Sequence, residues 1–199
     1  MLKSLVLFSI LLYSITCRSV EKEDSCQDES KKKFQSCLDQ FMNNINETRD
    51  AVTKMMETSS TVSPIEFDIR KEYKNMLKCI GNMECKGPIK LIKYQLDIMD
   101  FYGDQAWEAK DCLEIDQSSA LNHCMAPKDF KPTDNFSQSV VPCMKEVIEK
   151  TECSIQIKVN LERAAYAVSD MYAHMEKSLN DKNYSNNFDL VFDPRKYGL

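Results

Sequence analysis

The chain has 199 residues, of which 43% are hydrophobic and 29% are charged, and its formal net charge is −5. This length and balance predict a soluble globular protein of one domain or a small two-part domain. The acidic charge argues against nucleic acid or an anionic membrane surface as the partner. Only four glycines and six prolines are present, which disfavours an all-β fold because sandwiches and barrels usually spend more of both on turns.

The first residues predict a secretory signal peptide over 1–19. Lys3 supplies the positive start, an apolar run follows over 5–12, and small or polar residues come next, where a peptidase could cut. The run is too short to cross a bilayer, which needs about 20 residues. The alternatives are a short membrane anchor or a buried helix. Cleavage would remove Lys3 and Arg18 and leave 24 basic against 31 acidic residues, a net charge of −7.

Residues 20–180 are predicted to form a helical domain. Apolar residues recur at three- and four-residue steps after residue 33, the spacing of one helix face. The stripe consists of Phe34, Cys37, Leu38, Phe41, Met42, Ile45, Val52, Met55 and Met56. A polar run before Pro64 favours an extended loop. A second helix is predicted to have its apolar residues on one side: Ile69, Tyr73, Met76, Leu77 and Ile80. Gly81 is predicted to cap it, because glycine enters the left-handed conformation at little cost.

The segment Cys79–Pro88, CIGNMECKGP, separates the second helix from the third, and we call it the hinge. Pro88 suits the first turn of the third helix. The inner stripe of that helix is predicted to be Ile89, Ile92, Leu96 and Met99. Gly103 is predicted to end it. A further short helix is expected to hold Trp107, Cys112, Leu113 and Ile115. Another is expected over 118–125, before a loop over 126–137.

The last third of the chain is again helical, with a polar C-terminal tail predicted over 181–199. The apolar residues are Met144, Val147, Ile148, Ile155, Val159, Leu161, Ala165, Val168, Met171, Tyr172, Met175 and Leu179. A break is predicted near 151–154, where β-branched residues lower helix propensity. The candidates for docking the tail are Phe188, Val191 and Phe192. The fold class is therefore an all-α bundle of five or six helices stapled by disulfides.

Nine cysteines indicate a disulfide framework. Cys17 lies at the end of the signal peptide, and its fate depends on the cleavage site. The other eight are predicted to form four disulfides: Cys26, Cys37, Cys79, Cys85, Cys112, Cys124, Cys143 and Cys153. They allow about 105 pairings. We expect the first two to join the Cys79–Cys85 region and the last four to pair among themselves. If Cys17 is retained, one thiol is left for intermolecular pairing.

Three sequons support a secreted, extracellular location. Asn46, Asn135 and Asn183 each begin an Asn-X-Ser/Thr triplet. Such triplets accept N-linked glycans where they face solvent in the secretory pathway. All three asparagines are therefore predicted glycosylation sites.

No motif for catalysis or cofactor binding is present. HExxH, GxSxG, the P-loop and the dinucleotide fingerprint are all missing from the sequence. We therefore predict no enzyme, no catalytic residue and no cofactor. The acidic pairs Asp97 with Asp100 and Glu114 with Asp116 are interpreted as solvated helix faces. An enzyme of an unrecognised type is the third-ranked hypothesis.

A metal site is disfavoured by the sequence. Cys85, Cys112, His123 and Cys124 could form one on paper, but thiols in the secretory pathway are normally oxidised. The prediction is therefore no metal. His123 is interpreted as a surface or helix-end residue.

Methionine invites a second functional interpretation, because its flexible side chain adapts to varied apolar shapes. Five methionines could line a cavity for a small apolar ligand: Met42, Met76, Met99, Met144 and Met171. The preferred interpretation is that they fill a helical core. Trp107 is likewise interpreted as core.

The cysteine order resembles that of a known family. Ten residues separate Cys26 from Cys37, five separate Cys79 from Cys85, and four widely spaced cysteines follow. This resembles the secreted eight-cysteine domain expanded in nematodes, a domain of unknown function numbered nineteen in its series. The resemblance covers 26–153, and the close pair is its most specific part. It implies a secreted helical domain with disulfides, and no activity.

Other families are less similar. Insect odorant-binding proteins are also helical, secreted and acidic. Their pattern, however, has a closer pair of cysteines with three residues between them. Saposin-like proteins have six cysteines at different spacing. Cys143 and Cys153 have the spacing of twin Cys-x9-Cys proteins, but a secretory signal argues against their usual compartment.

The leading functional hypothesis is an extracellular binding or interaction module with a protein partner. The alternative is a carrier of small apolar ligands in a Met-lined cavity. A closed apolar cavity of about 300 Å³ or more would favour the carrier. A filled core with an exposed apolar patch would favour the interaction module. Neither partner is nucleic acid, and no membrane span is expected in the mature chain.

Overall fold

The computed structural model describes residues 26–57, 69–125 and 136–198. Over these ranges the chain forms seven α-helices and one 3-10 helix, with no β-strand: α1 Asp28–Glu57, α2 Ile69–Ile80, α3 Pro88–Glu108, α4 Ile115–Met125, α5 Phe136–Glu149, α6 Ile155–Asn180, α7 Lys182–Asn186, and the 3-10 helix Pro194–Tyr197. The predicted all-α, disulfide-stapled fold is confirmed. The predicted number of helices was five or six, and the additional helix is the five-residue α7. The signal peptide at 1–19 and Asn135 lie outside the described residues.

The first two helices pack through the predicted apolar stripe. Phe34, Leu38, Phe41 and Ile45 are buried on α1. The Phe41 ring lies 5.6 Å from the ring of Tyr73 on α2, measured between centroids. Side chains at these three- and four-residue steps share one face of a helix, so α1 presents a single apolar surface to α2.

The hinge has the conformation that its glycines and proline predict. Gly81 has a positive φ of 64°, and its N–H donates to the Leu77 carbonyl at 2.9 Å, which closes α2. Pro88 is the first residue of α3. Gly87, also at positive φ, donates its N–H to the carbonyl of Phe188 at 3.0 Å. The hinge therefore also binds the C-terminal segment.

Gly103 does not end the third helix, because α3 continues to Glu108. A Cβ at Gly103 would lie 2.8 Å from Cγ of Arg70 on α2. The glycine therefore allows a close approach between α2 and α3, at a helix-propensity cost of about 1 kcal/mol. The guanidinium of Arg70 then lies 4.0 Å from the centroid of the Trp107 ring. Trp107 belongs to α3, so the further short helix predicted around it is wrong.

The connection that follows α3 is a turn. Cys112 and Leu113 lie in it, and α4 begins at Ile115, three residues before the predicted start. The N–H groups of Cys112 and Leu113 both donate to the carbonyl of Ala109 at 3.0 Å. These bonds satisfy groups at the helix end and reverse the chain.

The predicted break near 151–154 is confirmed. α5 ends at Glu149, and Ser154 caps α6 by accepting from the N–H of Ile157 at 3.4 Å. α6 is the longest buried helix of the second half, and it packs against α3 and α5. Small residues allow this close packing, because Ala164, Ala165 and Ala167 are fully buried. The predicted end of the loop over 126–137 is two residues too late, because α5 begins at Phe136.

The C-terminal segment 181–198 folds back onto α3 and α6. Phe188 is buried, and Phe192 packs against the core, as predicted. Val191 does not dock, because it is 68% exposed. The hydroxyl of Tyr197 donates to Asp170 of α6 at 2.7 Å. The C-terminal tail is polar in sequence, but several contacts hold it against the rest of the fold.

Among the described helices, we find none with the length and apolar character needed to cross a bilayer.

Candidate functional sites

All eight predicted cysteines form disulfides. The pairs are Cys26–Cys85, Cys37–Cys79, Cys112–Cys153 and Cys124–Cys143, with Cα atoms 4.7, 5.8, 5.1 and 5.6 Å apart. The first two pairs join Cys26, just before α1, and Cys37 of α1 to the hinge. Cys112–Cys153 joins the turn after α3 to the connection before α6, and Cys124–Cys143 joins α4 to α5. This is the division expected from the sequence. Both hinge cysteines are therefore structural.

The residues weighed as a metal site are engaged elsewhere. Cys85, Cys112 and Cys124 are all in disulfides, so they offer no thiolate. His123 is exposed on α4, as interpreted from the sequence. Across the described ranges, no three His, Cys, Asp or Glu side chains are grouped to hold a metal ion.

The sequon asparagines have different surroundings. Asn46 lies within α1 and is partly buried. Asn183 is exposed on α7. Asn135 lies outside the described residues.

A cleft of about 480 Å³, which we call the C-terminal cleft, opens beside α7. Its lining includes His174, Asp181, Asn183, Tyr184, Asn187 and Asp189. No sequence motif indicates this cleft. One available signal was the pair of aromatic residues Tyr184 and Phe188 in an otherwise polar tail.

His174 lines the C-terminal cleft and lies among aromatic rings. The Tyr184 hydroxyl is hydrogen-bonded to its Nδ1, and the rings of Tyr94 and Phe188 meet it edge to face at 5.2 and 5.4 Å. Burial lowers the pKa of His174 below its ordinary 6.5, because the imidazolium loses solvation. Lys177 and Lys196 lower this pKa further, whereas Asp170 raises it.

We expect acidification to destabilise the fold through His174. Its pKa is lower in the folded state than the unfolded 6.5, so the unfolded chain binds the proton first. The free energy of unfolding should be unaffected by this residue above pH 6.5 and should fall as the pH drops below it. Urea unfolding between pH 7.5 and 5 measures the slope. His174→Gln should flatten it, and His123→Gln, at an exposed position, should not. Equal slopes in the wild type and His174→Gln would contradict this assignment.

A second cleft, of about 490 Å³, lies between α1 and α2 beside the Cys37–Cys79 bridge. Its lining includes the polar side chains of Gln40, Asn44, Glu72, Asn75 and Lys78. Asn44 Nδ2 donates to Glu72 Oε2 at 2.7 Å across it. Phe41 and Met76 add apolar surface to this cleft, but it is open to solvent and so does not match the closed apolar cavity that a carrier requires.

One acidic residue departs from the expected solvated face. Asp97 is paired with Lys93 at 2.8 Å, whereas Asp100 has one buried carboxylate oxygen with no hydrogen-bond partner among the described residues. Burial raises the pKa of Asp100, and the charge of Lys74 opposes the rise. Asp104, which also raises it, is itself bound by Lys74 at 2.7 Å. Lys74 of α2 and Asp100 and Asp104 of α3 therefore form a charged cluster between the two helices.

Four of the five methionines weighed as cavity lining are core residues. Met76, Met99, Met144 and Met171 are buried in one cluster with aromatic and aliphatic side chains, and Met42 packs against it partly buried. Methionine here fills space between helices. This matches the preferred interpretation from the sequence.

An exposed apolar surface runs along α6, and we call it the α6 stripe. Ile155, Val159 and Tyr166 are 83%, 37% and 47% exposed. Their spacing of four and seven residues places them on one face of the helix. Glu162 lies on the same face and pairs with Lys145 of α5 at 3.2 Å. Lys145 also lies 5.6 Å from the Tyr166 ring, so the stripe has a charged flank.

No family model matches the chain, and neither a curated protein nor a solved structure matches it. The resemblance to the nematode-expanded eight-cysteine family therefore stays a prediction. A disulfide-rich helical fold is compatible with an extracellular module, and the function has to be argued from the chain's own surfaces.

Proposed function

We propose that the chain is a secreted extracellular module that binds a partner protein through the α6 stripe. The observation that carries this proposal is the alignment of Ile155, Val159 and Tyr166 on one exposed face. Large apolar side chains exposed together favour protein contacts, because burying them in an interface removes apolar area from water. Tyr166 adds an aromatic ring of the kind enriched at binding hot spots.

The extracellular location rests on the disulfides. Four bridges persist in an oxidising compartment, whereas cytosolic thiols are normally kept reduced. The sequence of the first 19 residues supports the same location. The cysteine order and the disulfide-stapled helical fold also support the proposal that the chain belongs with the nematode-expanded eight-cysteine domains. No enzymatic role is part of this proposal.

The alternative, a carrier of small apolar ligands, has weaker support. The buried methionines of the hypothetical cavity pack against core side chains. A carrier purified from its own source should retain a ligand that native mass spectrometry detects. We expect the mass of the polypeptide and its glycans alone. A co-purified apolar molecule would contradict our proposal and favour the carrier.

The binding surface is tested with the double variant Ile155→Asp, Tyr166→Ala. The matched control is Val191→Asp, because Val191 is also apolar and exposed but lies outside the α6 stripe. Wild type, variant and control are immobilised and exposed to extracellular fluid from the source. A protein retained by the wild type is then purified, and its affinity for each form is measured by calorimetry.

The expected result is binding at least about tenfold weaker for the double variant, with the control unchanged. Circular dichroism and thermal unfolding confirm that all three forms are folded. Equal affinity for the wild type and the folded double variant would overturn the assignment of the α6 stripe.

A further inference from the structure

The third sequon lies on the wall of the C-terminal cleft. Asn183 is exposed at the second position of α7 and is one of the residues that line the cleft. Its position is fixed by its backbone: its N–H donates to Asp181 Oδ1 at 2.9 Å, and its carbonyl accepts from Asn187 Nδ2 at 3.0 Å. A group attached to the Asn183 side chain would therefore start at the edge of this cleft.

The chemistry of the cleft matches a sugar. Asp181 and Asn187 each use one polar atom on the Asn183 backbone, and their other side-chain oxygens and Asp189 Oδ1 can accept from hydroxyl and acetamido groups. Tyr184 also lines the cleft, and its ring is stacked with that of His174 at 6.0 Å between centroids. The cleft, of about 480 Å³ and largely open to solvent, has room for one pyranose ring. The combination of polar groups around an aromatic ring suits the mixed polar and apolar surface of a pyranose.

The cleft also lies where an occupant would bridge two parts of the fold. Tyr184 and Phe188 belong to the C-terminal segment, and His174 belongs to α6. The segment is held to the hinge by the bond from Gly87 to Phe188 and by an ion pair between Lys86 and Asp189 at 3.8 Å. An occupant that contacts both sides of the cleft would strengthen this docking.

We propose that Asn183 carries an N-linked glycan whose first N-acetylglucosamine occupies the C-terminal cleft and fastens the segment 181–198 to α6. The inference rests on the secretory location proposed above. The donor is an oligosaccharide on a polyprenyl diphosphate. A bond forms between sugar C1 and Asn183 Nδ2, the bond from C1 to the phosphate oxygen breaks, the amide nitrogen loses one proton, and the lipid diphosphate leaves.

The test begins with the full chain expressed with its own leader in a eukaryotic host that makes high-mannose glycans. Mass spectrometry of the peptides gives glycan occupancy at Asn183 and at Asn46. The secreted protein is then compared in three forms: intact, trimmed by endoglycosidase H to one N-acetylglucosamine, and fully deglycosylated. Asn183→Asp is the control for the aspartate that full enzymatic removal leaves behind.

We expect Asn183 to be occupied, and the intact and trimmed forms to unfold at the same temperature. The fully deglycosylated form and Asn183→Asp should unfold about 2–4 °C lower, the shift that a chain of this size shows for a small loss of stability. Ser185→Thr, which keeps the sequon, should behave as the intact wild type. Proton NMR of the trimmed form should show contacts between the acetyl methyl group and the Tyr184 ring.

Two results would overturn the inference alone. The first is a secreted chain with glycan at Asn46 and none at Asn183. The second is an occupied Asn183 whose complete deglycosylation leaves the unfolding temperature unchanged, with no contact to Tyr184. Retention of the chain inside the cells, with reduced cysteines and no glycan, would instead overturn the proposed secretory function on which the inference rests.

Discussion

Replacing both Cys37 and Cys79 by alanine is expected to lower the free energy of unfolding by about 2–5 kcal/mol. This bridge joins α1 to the end of α2 and closes a loop of 42 residues. Its loss gives the unfolded chain more conformations and leaves α1 held by Cys26–Cys85, by apolar packing and by the Asn44–Glu72 hydrogen bond. Alanine is preferred to serine, because Cys37 is buried and a hydroxyl there would need a partner.

Urea unfolding gives the stability change, and hydrogen exchange locates it. Amide protection should fall most over 28–47 of α1 and least in α6. The control is the same double replacement at Cys124 and Cys143, which close a loop of 19 residues. On the chain-entropy model, the shorter loop should cost about 0.7 kcal/mol less. Unaltered protection in α1 would show that the Cys37–Cys79 bridge does not hold that helix.

Truncating Ile148 to alanine is expected to cost about 2–5 kcal/mol, because the fully buried side chain would leave a cavity among α5, α6 and their neighbours. The matched control is Ile155→Ala, which removes the same atoms seven residues later from a side chain that is 83% exposed. That change should alter stability by less than about 0.5 kcal/mol. Both values come from urea unfolding at pH 7.5.

This pair of variants also separates stability from function. Ile155→Ala should weaken partner binding through the α6 stripe while leaving the fold intact. A cost of several kcal/mol for Ile155→Ala would mean that this residue is buried in solution, and it would remove the basis of the proposed binding surface. A negligible cost for Ile148→Ala would mean that the core between α5 and α6 is not packed as described.

Much of the fold follows from local sequence features. The stripe beginning at Phe34, the cap at Gly81, the start at Pro88 and the break before Ser154 were all predictable, because each depends on neighbours within one or two turns. The end of α3 was not predictable in this way. Gly103 is a helix breaker by propensity, and the side chain that explains its presence, Arg70, lies on another helix.

The candidate sites were less accessible to sequence reasoning. The C-terminal cleft combines His174 of α6 with residues that follow α6, and its shape depends on how that segment returns to the hinge. Val191 and Phe192 illustrate the same limit. They are adjacent apolar residues, yet Val191 is exposed and Phe192 packs against the core. Whether a side chain at such a position faces the core or solvent depends on the path of the backbone between distant contacts.

By itself, the sequence determined the all-α class, the eight-cysteine framework and most helix boundaries, because periodicity, caps and cysteine count are local or compositional. Only the tertiary structure decided, within one periodic pattern, which residues are core and which are surface. Ile148 and Ile155 follow the same periodic pattern in the sequence, but α5 and α6 bury one and leave the other exposed. Burial is a property of what packs against a side chain, so the proposed α6 stripe could be located only after the helices were placed.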